Sequence, residues 1–297
     1  MAEKQVFLLY AETQVHAGTG FETGVVDLPI QRERTTKFPI IQGVKGALRA
    51  YFRSLIKDKN GKREDEKKIF GSEPESDRET VPGSLNFSEA KILLFPVRNP
   101  HRLFVWVTCP LVLVRFARAV GNDKVIEELE NMKIDDGNAI SFFDEEEGIY
   151  LEEIKLSPLE IDPSNLSNTK NLISNIAKCA PVKYLQNKMK GDVVIVSDKL
   201  FSYIVQTMTE VVPRVRIDRE RKTVKEGGLW YEEYLPQDTV MYFVVRKTYY
   251  HGDSKDLMNR FKEIVNEKLI NIGGKETVGK GMMWVYAWGD ADGNTQP

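Results

Sequence analysis

Cysteine is nearly absent. The chain has two, Cys109 and Cys179, in 297 residues, and both sit among apolar neighbours. That is too few for a disulfide framework, and reduced, buried thiols are expected. No apolar run reaches the roughly 18 residues that a bilayer span needs, so no membrane partner is expected. The opening M-A-E-K-Q-V lacks a signal-peptide pattern, and a cytoplasmic location is the default expectation. An excess of positive charge is missing too: the net charge is −2 at pH 7. Any surface for nucleic acid must therefore be local. There is no metal-ligand motif, nucleophile elbow, catalytic triad, internal repeat or low-complexity tract. What remains is 41% apolar with a mean hydropathy of −0.36. That suffices for one large domain, or for a core with sizeable insertions.

Val6 to Tyr10 (V-F-L-L-Y) reads as a buried central strand. Gly43 to Lys57 reads as a helix with Val44, Ala47, Leu48, Tyr51, Phe52 and Leu55 on one face and Lys45, Arg49, Arg53 and Lys57 on another. The polar, mixed-charge stretch from Lys57 to Pro82 reads as a mobile surface insertion anchored by Ile69 and Phe70. Strands are expected over Ser84–Val97 and Leu103–Thr108, paired around R-N-P-H, and again over Ile149–Ile154, Asp192–Val196 and Thr239–Val245. Helices are expected over Leu111–Val120, Lys124–Met132, around Leu172–Ala177, and over Lys199–Glu210. Another runs from Asp253 to Ile270, capped by Asp253 or Ser254, with Leu257, Met258, Phe261, Ile264, Val265 and Leu269 buried. The acidic run Phe142–Glu147 reads as a solvated loop. Arg214 to Leu235 reads as a long hairpin, with Arg214, Arg216 and Arg219 alternating against Val215 and Ile217. The last eight residues read as a disordered tail. Strands at both ends predict an α+β fold, and a βαββαβ core would use the first strand, the Gly43 helix, the strands near 84–108 and the last helix–strand pair.

The chemistry concentrates between Thr13 and Arg49. Gly18, Gly20 and Gly24 punctuate a loop of about 25 residues, too long for a passive connection. It carries His16, suited to acid–base work, and Asp27, suited to holding a metal or accepting a proton. A turn or capping role for Asp27 is the plainer alternative, and spacing alone does not bring the two together. Lys45 and Arg49 follow in the first turns of a helix, where free backbone N–H groups favour an anion. Near the C-terminus, Gly274, Gly279 and Lys280 fit G-x-x-x-x-G-K. Two features argue against a nucleotide-hydrolysing loop: Gly281 stands where a Ser or Thr holds magnesium, and the local order is helix, loop, strand. The glycines with Lys275 and Lys280 still suit a nucleic-acid backbone.

F-P-I-I-Q-G-V-K-G-A-L-R resembles the helix-opening motif of the RAMP superfamily of CRISPR proteins. I-F-G, A-K-I-L-L-F-P-V-R, V-W-V-T-C-P-L-V-L-V-R-F, G-G-L-W-Y-E-E-Y-L-P and I-G-G-K-E-T-V-G-K-G follow in the order of the repeating backbone subunit of the type III-B (Cmr) CRISPR RNA-guided complex, from about Val6 to Val285. The resemblance implies one RAMP domain with a ferredoxin-like, RNA-recognition-motif-like core (about 5–57, 83–110, 190–210 and 237–288). It also implies a lid-like insertion (58–82), a helical insertion (111–189), a thumb hairpin (211–236) and a tail (290–297). It implies copies stacked along guide RNA with other Cmr subunits, each thumb wedged into the guide–target duplex. Target RNA is then cut at regular intervals. Cutting would depend on a divalent ion, Mg2+ or Mn2+, and leave a 2′,3′-cyclic phosphate by attack of the target's own 2′-OH. Carried over by position, the essential acid is Asp27 in G-V-V-D-L-P-I-Q-R-E-R, the loop histidine is His16, and Glu232 is taken over Glu233 as a further acidic site residue. Guide contacts fall on Lys45 and Arg49, with Gln42 and Gly43 at the helix start and Gly274, Lys275 and Lys280 in the glycine loop. Arg214 and Arg216 lie on the thumb. Where the family often shows S-L-K-G, this chain has Q-G-V-K-G, a slightly shorter loop. A non-catalytic guide-binding subunit and a stand-alone RNase that processes guide precursors are the alternatives.

Overall fold

The computed structural model describes residues 4–22, 24–55, 62–72, 80–130, 132–143, 148–159, 161, 163–218, 220–248 and 254–289. The expected cap Asp253, the acidic run beyond Phe143, Lys57, Arg219 and the tail lie outside them, as does much of 58–82.

Apolar runs, several of them buried on both faces, supply most of the strands: β1 (Lys4–Ala11), β2 (Ile40–Ile41), β3 (Leu85–Phe87), β4 (Ala90–Asn99), β5 (Leu103–Thr108), β6 (Asn138–Ser141), β7 (Ile149–Leu151), β8 (Ile154–Pro158), β9 (Val193–Val196), β10 (Glu210–Ile217), β11 (Val224–Tyr234), β12 (Val240–Lys247), β13 (Lys268–Asn271) and β14 (Met282–Ala287). The helices are α1 (Val44–Ser54), α2 (Lys62–Phe70), α3 (Pro110–Val120), α4 (Asp123–Glu130), α5 (Ser167–Ile176), α6 (Lys183–Gly191), α7 (Asp198–Thr207) and α8 (Ser254–Val265). None among the described residues is long and apolar enough to cross a membrane.

One large sheet runs β13-β14-β1-β12-β4-β5-β9-β6-β8-β7, with β2 on β4 and β3 on β12. Its first half is antiparallel throughout: β14 pairs β1, β1 pairs β12, and β12 pairs β4. The α+β expectation therefore holds. The expected hairpin across R-N-P-H is there as well, from Phe95↔Val107 to Asn99↔Leu103. But β5 leaves the neighbourhood of β1 and runs parallel to β9 on the far side of β4. The strand between β1 and β4 is β12, whose T-V-M-Y-F-V-V run is buried on both faces, as a central strand must be.

Aromatic rings lock one face of this sheet. Phe7 stacks on Phe243 at 5.1 Å and meets Phe261 of α8 edge-on at 5.5 Å. Phe70 of α2 joins through Phe52, Phe87 and Phe261. Ile69 and Phe70 are thus the anchor expected of the insertion, but they end a helix. Its K-R-E-D-E-K-K face is polar, so periodicity gives no sign of it. What fixes it is tertiary: Glu66 takes hydrogen bonds from Arg49 Nε at 2.6 Å and Arg53 Nε at 2.7 Å.

Three further expectations change. The helix after Ser254 ends at Val265; Asn266 closes it by donating to the Lys262 carbonyl, and Glu267, at φ +57°, turns the chain into β13. Leu269 therefore sits on an edge strand, exposed. Leu55 lies past the end of α1 and is also exposed. The run 149–154 is a hairpin, β7 to β8, turned at Glu152 with φ +51°.

The hairpin β10–β11 is its own two-stranded sheet, registered from Glu210↔Tyr234 to Val215↔Leu229. Val211, Val215, Ile217, Val224 and Leu229 are all exposed. It is covered only at its base.

Candidate functional site

The loop from Thr13 to Pro39 is stitched to its surroundings by isolated bridges. Val15 pairs Leu235, His16 pairs Gly274, Gly18 pairs Ile30, and Leu28 pairs Glu232. The loop thereby lies between the base of β11 and the C-terminal glycine loop. That places Asp27, His16 and Glu232 in one neighbourhood. Asp27 Oδ2 accepts the Tyr231 N–H at 2.7 Å, and Leu28 N–H donates to the Tyr231 carbonyl at 3.0 Å. Asp27 Oδ1 has no hydrogen-bond partner among the described residues.

His16 is buried, and its Nδ1 lies 2.8 Å from the Glu233 carbonyl oxygen. A carbonyl only accepts, so Nδ1 carries the proton. Its Nε2 faces Gly18, where an added Cβ would stand 2.5 Å away. The ring is thus a spacer between loop and hairpin.

Glu232 is 2% exposed and surrounded by donors. Lys275 Nζ reaches Oε1 at 2.5 Å and Trp230 Nε1 reaches it at 2.8 Å; Arg214 Nε reaches Oε2 at 3.1 Å, and the Tyr234 hydroxyl donates to the same oxygen. Burial pushes its carboxyl up, but the hydrogen bonds from Lys275, Tyr234, Trp230 and Arg214 outweigh it and hold the group at about 2. Glu233 is equally occupied: Arg32 at 2.5 Å, Thr209 at 2.7 Å and the Ile30 N–H at 3.0 Å. Both acids knit loop, hairpin and glycine loop together, and Asp27 keeps the open oxygen.

The cationic residues divide in the same way. Arg49 is spent on Glu66 and the Gly71 carbonyl, the latter at 2.8 Å. Lys275 and Arg214 hold Glu232. Lys280 donates to Gln14 and lies 5.4 Å above the Tyr234 ring. Lys45 and Arg216 are exposed. Partial desolvation of its ammonium against α1 and the nearby charge of Arg49 lower the pKa of Lys45 all the same.

Between the start of α1 and the glycine loop lies a groove of about 450 Å3, lined by Gly18, Gly43, Gly46, Gly273, Gly274 and Gln31 among others. Cβ atoms added at Gly43 or Gly46 would meet nothing within 4 Å. Gly43 caps α1 without any side-chain hydrogen bond, and the first turn has no acid. Gln31, which nothing in the sequence marks, joins the two halves: its Oε1 accepts the Gln42 N–H at 2.9 Å and its Nε2 donates to the Gly18 carbonyl at 3.0 Å. No local pattern marks that role.

This arrangement has relatives. The sequence profile of the RAMP superfamily matches residues 8–284. The chain is 38% identical over 291 residues to the CRISPR system Cmr endoribonuclease Cmr4 of Pyrococcus furiosus, with 93% of each chain covered. It is 25% identical over 305 residues to the CRISPR system CMR subunit Cmr4 of Saccharolobus solfataricus, covering 93% of this chain and 94% of that one. Oligomeric Cmr4 from Pyrococcus furiosus shares the fold with a TM-score of 0.72 at 31% identity, over 97% of this chain and 98% of that one. A chain of a type III-B Cmr-beta assembly bound to cognate target RNA has the same fold, with a TM-score of 0.72 at 22% identity over 97% of this chain and 98% of that one. The chain belongs to the RAMP superfamily, as a relative of the Cmr4 subunit of Cmr CRISPR complexes.

Proposed function

We propose that this chain is a repeating backbone subunit that binds guide RNA together with other copies of itself and other Cmr subunits, and cuts complementary target RNA at regular intervals. The observation that carries the reading is Asp27: one carboxylate oxygen is pinned to the backbone at the base of an exposed hairpin, and the other is open. On this reading β14–β1–β12–β4 with α1 and α8 is a ferredoxin-like core, 58–82 a lid, 111–189 a helical insertion and the β10–β11 hairpin the thumb. The groove between α1 and the glycine loop takes the guide backbone. It offers the first-turn N–H groups of α1 and close approach at its glycines without reading bases, as a subunit that accepts any guide requires, with Glu276 the one carboxylate in its lining.

Target cleavage proceeds by attack of the target's own 2′-OH, leaving a 2′,3′-cyclic phosphate. In-line attack needs a splayed nucleotide more than covalent help from the protein. Asp27 serves as proton acceptor or as ligand to a divalent ion. Among the described residues, no three His, Cys, Asp or Glu side chains converge. The site therefore fits Mg2+ or Mn2+ bound chiefly by water and phosphate oxygens with Asp27 as its protein ligand, which is how Mg2+ commonly binds. Such an ion would supply positive charge for the phosphate oxygens. His16 and Glu232 act by holding the loop. Their engagement is also what favours the second reading, a guide-binding subunit without cleavage, since chemistry then rests on Asp27 alone.

The test is a guide-loaded assembly given complementary RNA and Mg2+. A ladder of evenly spaced fragments ending in cyclic phosphate is expected; intact target selects the second reading, and random cuts sink both.

The groove makes its own prediction. Gly43→Asp adds a side chain into open space; the position, at φ −75° and ψ 9°, lacks the extended backbone of a capping residue, so folding stability should change little. The new carboxylate faces the groove, and guide affinity should fall on the order of tenfold, more steeply at low salt. A filter-binding titration at two salt concentrations reads it. Undiminished affinity would move the guide elsewhere.

A further inference from the structure

Of the fourteen phenylalanines in the chain, Phe21 alone is exposed, at 71%. The others are buried or half-buried in the core. A singly exposed apolar side chain needs no explanation in itself; what singles out Phe21 is the ordered turn that carries it and the residue that turn is bonded to. The position is not a frayed tip. Thr19 N–H donates to the Pro29 carbonyl at 3.2 Å, Thr19 Oγ1 donates to Glu22 at 2.7 Å, and Glu22 N–H donates to the Asp27 carbonyl at 2.9 Å. Gly18 bridges Ile30 just below. Gly20, at φ +109°, adopts a backbone conformation that L side chains rarely reach, and it turns the chain immediately before Phe21. The turn therefore presents the ring outward and, through the Glu22–Asp27 bond, beside the one site residue with an open carboxylate oxygen. Val25, 96% exposed, stands on the same turn.

We propose that Phe21 is a nucleobase-stacking residue: it takes the base of the target nucleotide next to Asp27 and holds it out of the helical stack. This rests on the reading that Asp27 faces the target strand. The chemistry calls for such a group. In-line attack by a 2′-OH is incompatible with A-form stacking, so the displaced base needs a surface. An aromatic face stacks any base, as an enzyme guided by pairing requires. The occupant is a nucleobase rather than a protein patch because Phe21 directly precedes Glu22, whose N–H meets the backbone carbonyl of Asp27, the residue that must meet a phosphodiester.

The test uses guide-loaded assemblies and a target carrying 2-aminopurine at the cut nucleotide. Phe21→Ala should slow single-turnover cleavage by about 10- to 100-fold, the range that a lost base–aromatic stack implies, with assembly and target affinity kept. Phe21→Trp should restore the rate, and Phe21→Leu should not. In an Asp27→Asn background, which keeps the target whole, target binding should change 2-aminopurine emission with Phe21 present and not with Ala there. Cleavage by Phe21→Ala at the normal rate overturns the proposal. So does full rescue by Leu, which would mark a generic apolar contact, and so does loss of assembly, which would make Phe21 a contact between copies. If Asp27→Asn itself cuts normally, the underlying reading fails and the proposal with it; if only the Phe21 variants behave normally, the reading stands without it.

Discussion

Asp27→Asn should abolish target cleavage while leaving the assembly intact. The amide keeps an oxygen where Oδ2 accepts the Tyr231 N–H at 2.7 Å, so the turn retains its register on β11. What it loses is the charge, and with it the capacity to take a proton or hold a cation at the open position. Losing a positioned acid–base group costs on the order of 10²- to 10⁴-fold, and no neighbouring acid can substitute: both oxygens of Glu232 and of Glu233 are occupied. Asp27→Ala is the poorer probe, because it also frees the Tyr231 N–H and loosens the turn. Single-turnover cleavage of labelled target, with guide and target affinities measured alongside, reads the result. Cutting within a few-fold of the normal rate would remove Asp27 from the chemistry.

That residue was reachable from the sequence only through resemblance. Its type and loop suggested a proton acceptor or a metal ligand, and spacing does not say that residue 27 lies against residue 231. The same limit separates the elements that were legible from those that were not. β1, β12, α3, α7 and the β10–β11 hairpin carry their period within one stretch. α2 carries almost none; it is held by Ile69, Phe70 and the pairing of Glu66 with two arginines of α1. For the same reason Arg49, one of a basic stripe in the sequence, shows no partner there: Glu66 comes to it from α2. Sequence neighbours usually pair, so β4 and β5 looked like the two inner strands of the core. Instead β12, more than 130 residues after β4, stands between β4 and β1, and no local pattern announces so distant a pairing. Choosing Glu232 over Glu233 raised the same difficulty in miniature: adjacent identical residues on one strand differ only in what other loops bring to them.

What the loops bring to Glu232 makes it the residue whose loss should most disturb the site without touching RNA. Its carboxyl is held at about 2, against 4.5 for an ordinary glutamate. At 1.36 kcal/mol per unit that corresponds to about 3 kcal/mol. Lys275 and Arg214 are each about a third exposed, and solvent screening trims the figure to about 2 kcal/mol. Because the folded-state pKa is depressed, this stabilisation is present above the unfolded value and is lost as pH falls from 4.5 toward 2. Glu232→Gln keeps the shape but turns an amide N–H₂ toward groups that are themselves donors. At pH 7 the variant should lose about 2 kcal/mol in urea unfolding, and the gap should close as the pH is lowered toward 3. An equal gap at both pH values would mean that the loss comes from packing rather than from charge. Cleavage should fall too, because Lys275 is what ties the glycine loop to the base of the hairpin. But the loss should track the loosened register: target affinity and rate decline together, in contrast to Asp27→Asn, where the rate alone collapses. If Glu232→Gln instead removed cleavage with binding and stability intact, Glu232 would act on the RNA directly, and the arrangement of donors around it would have to open when the target binds.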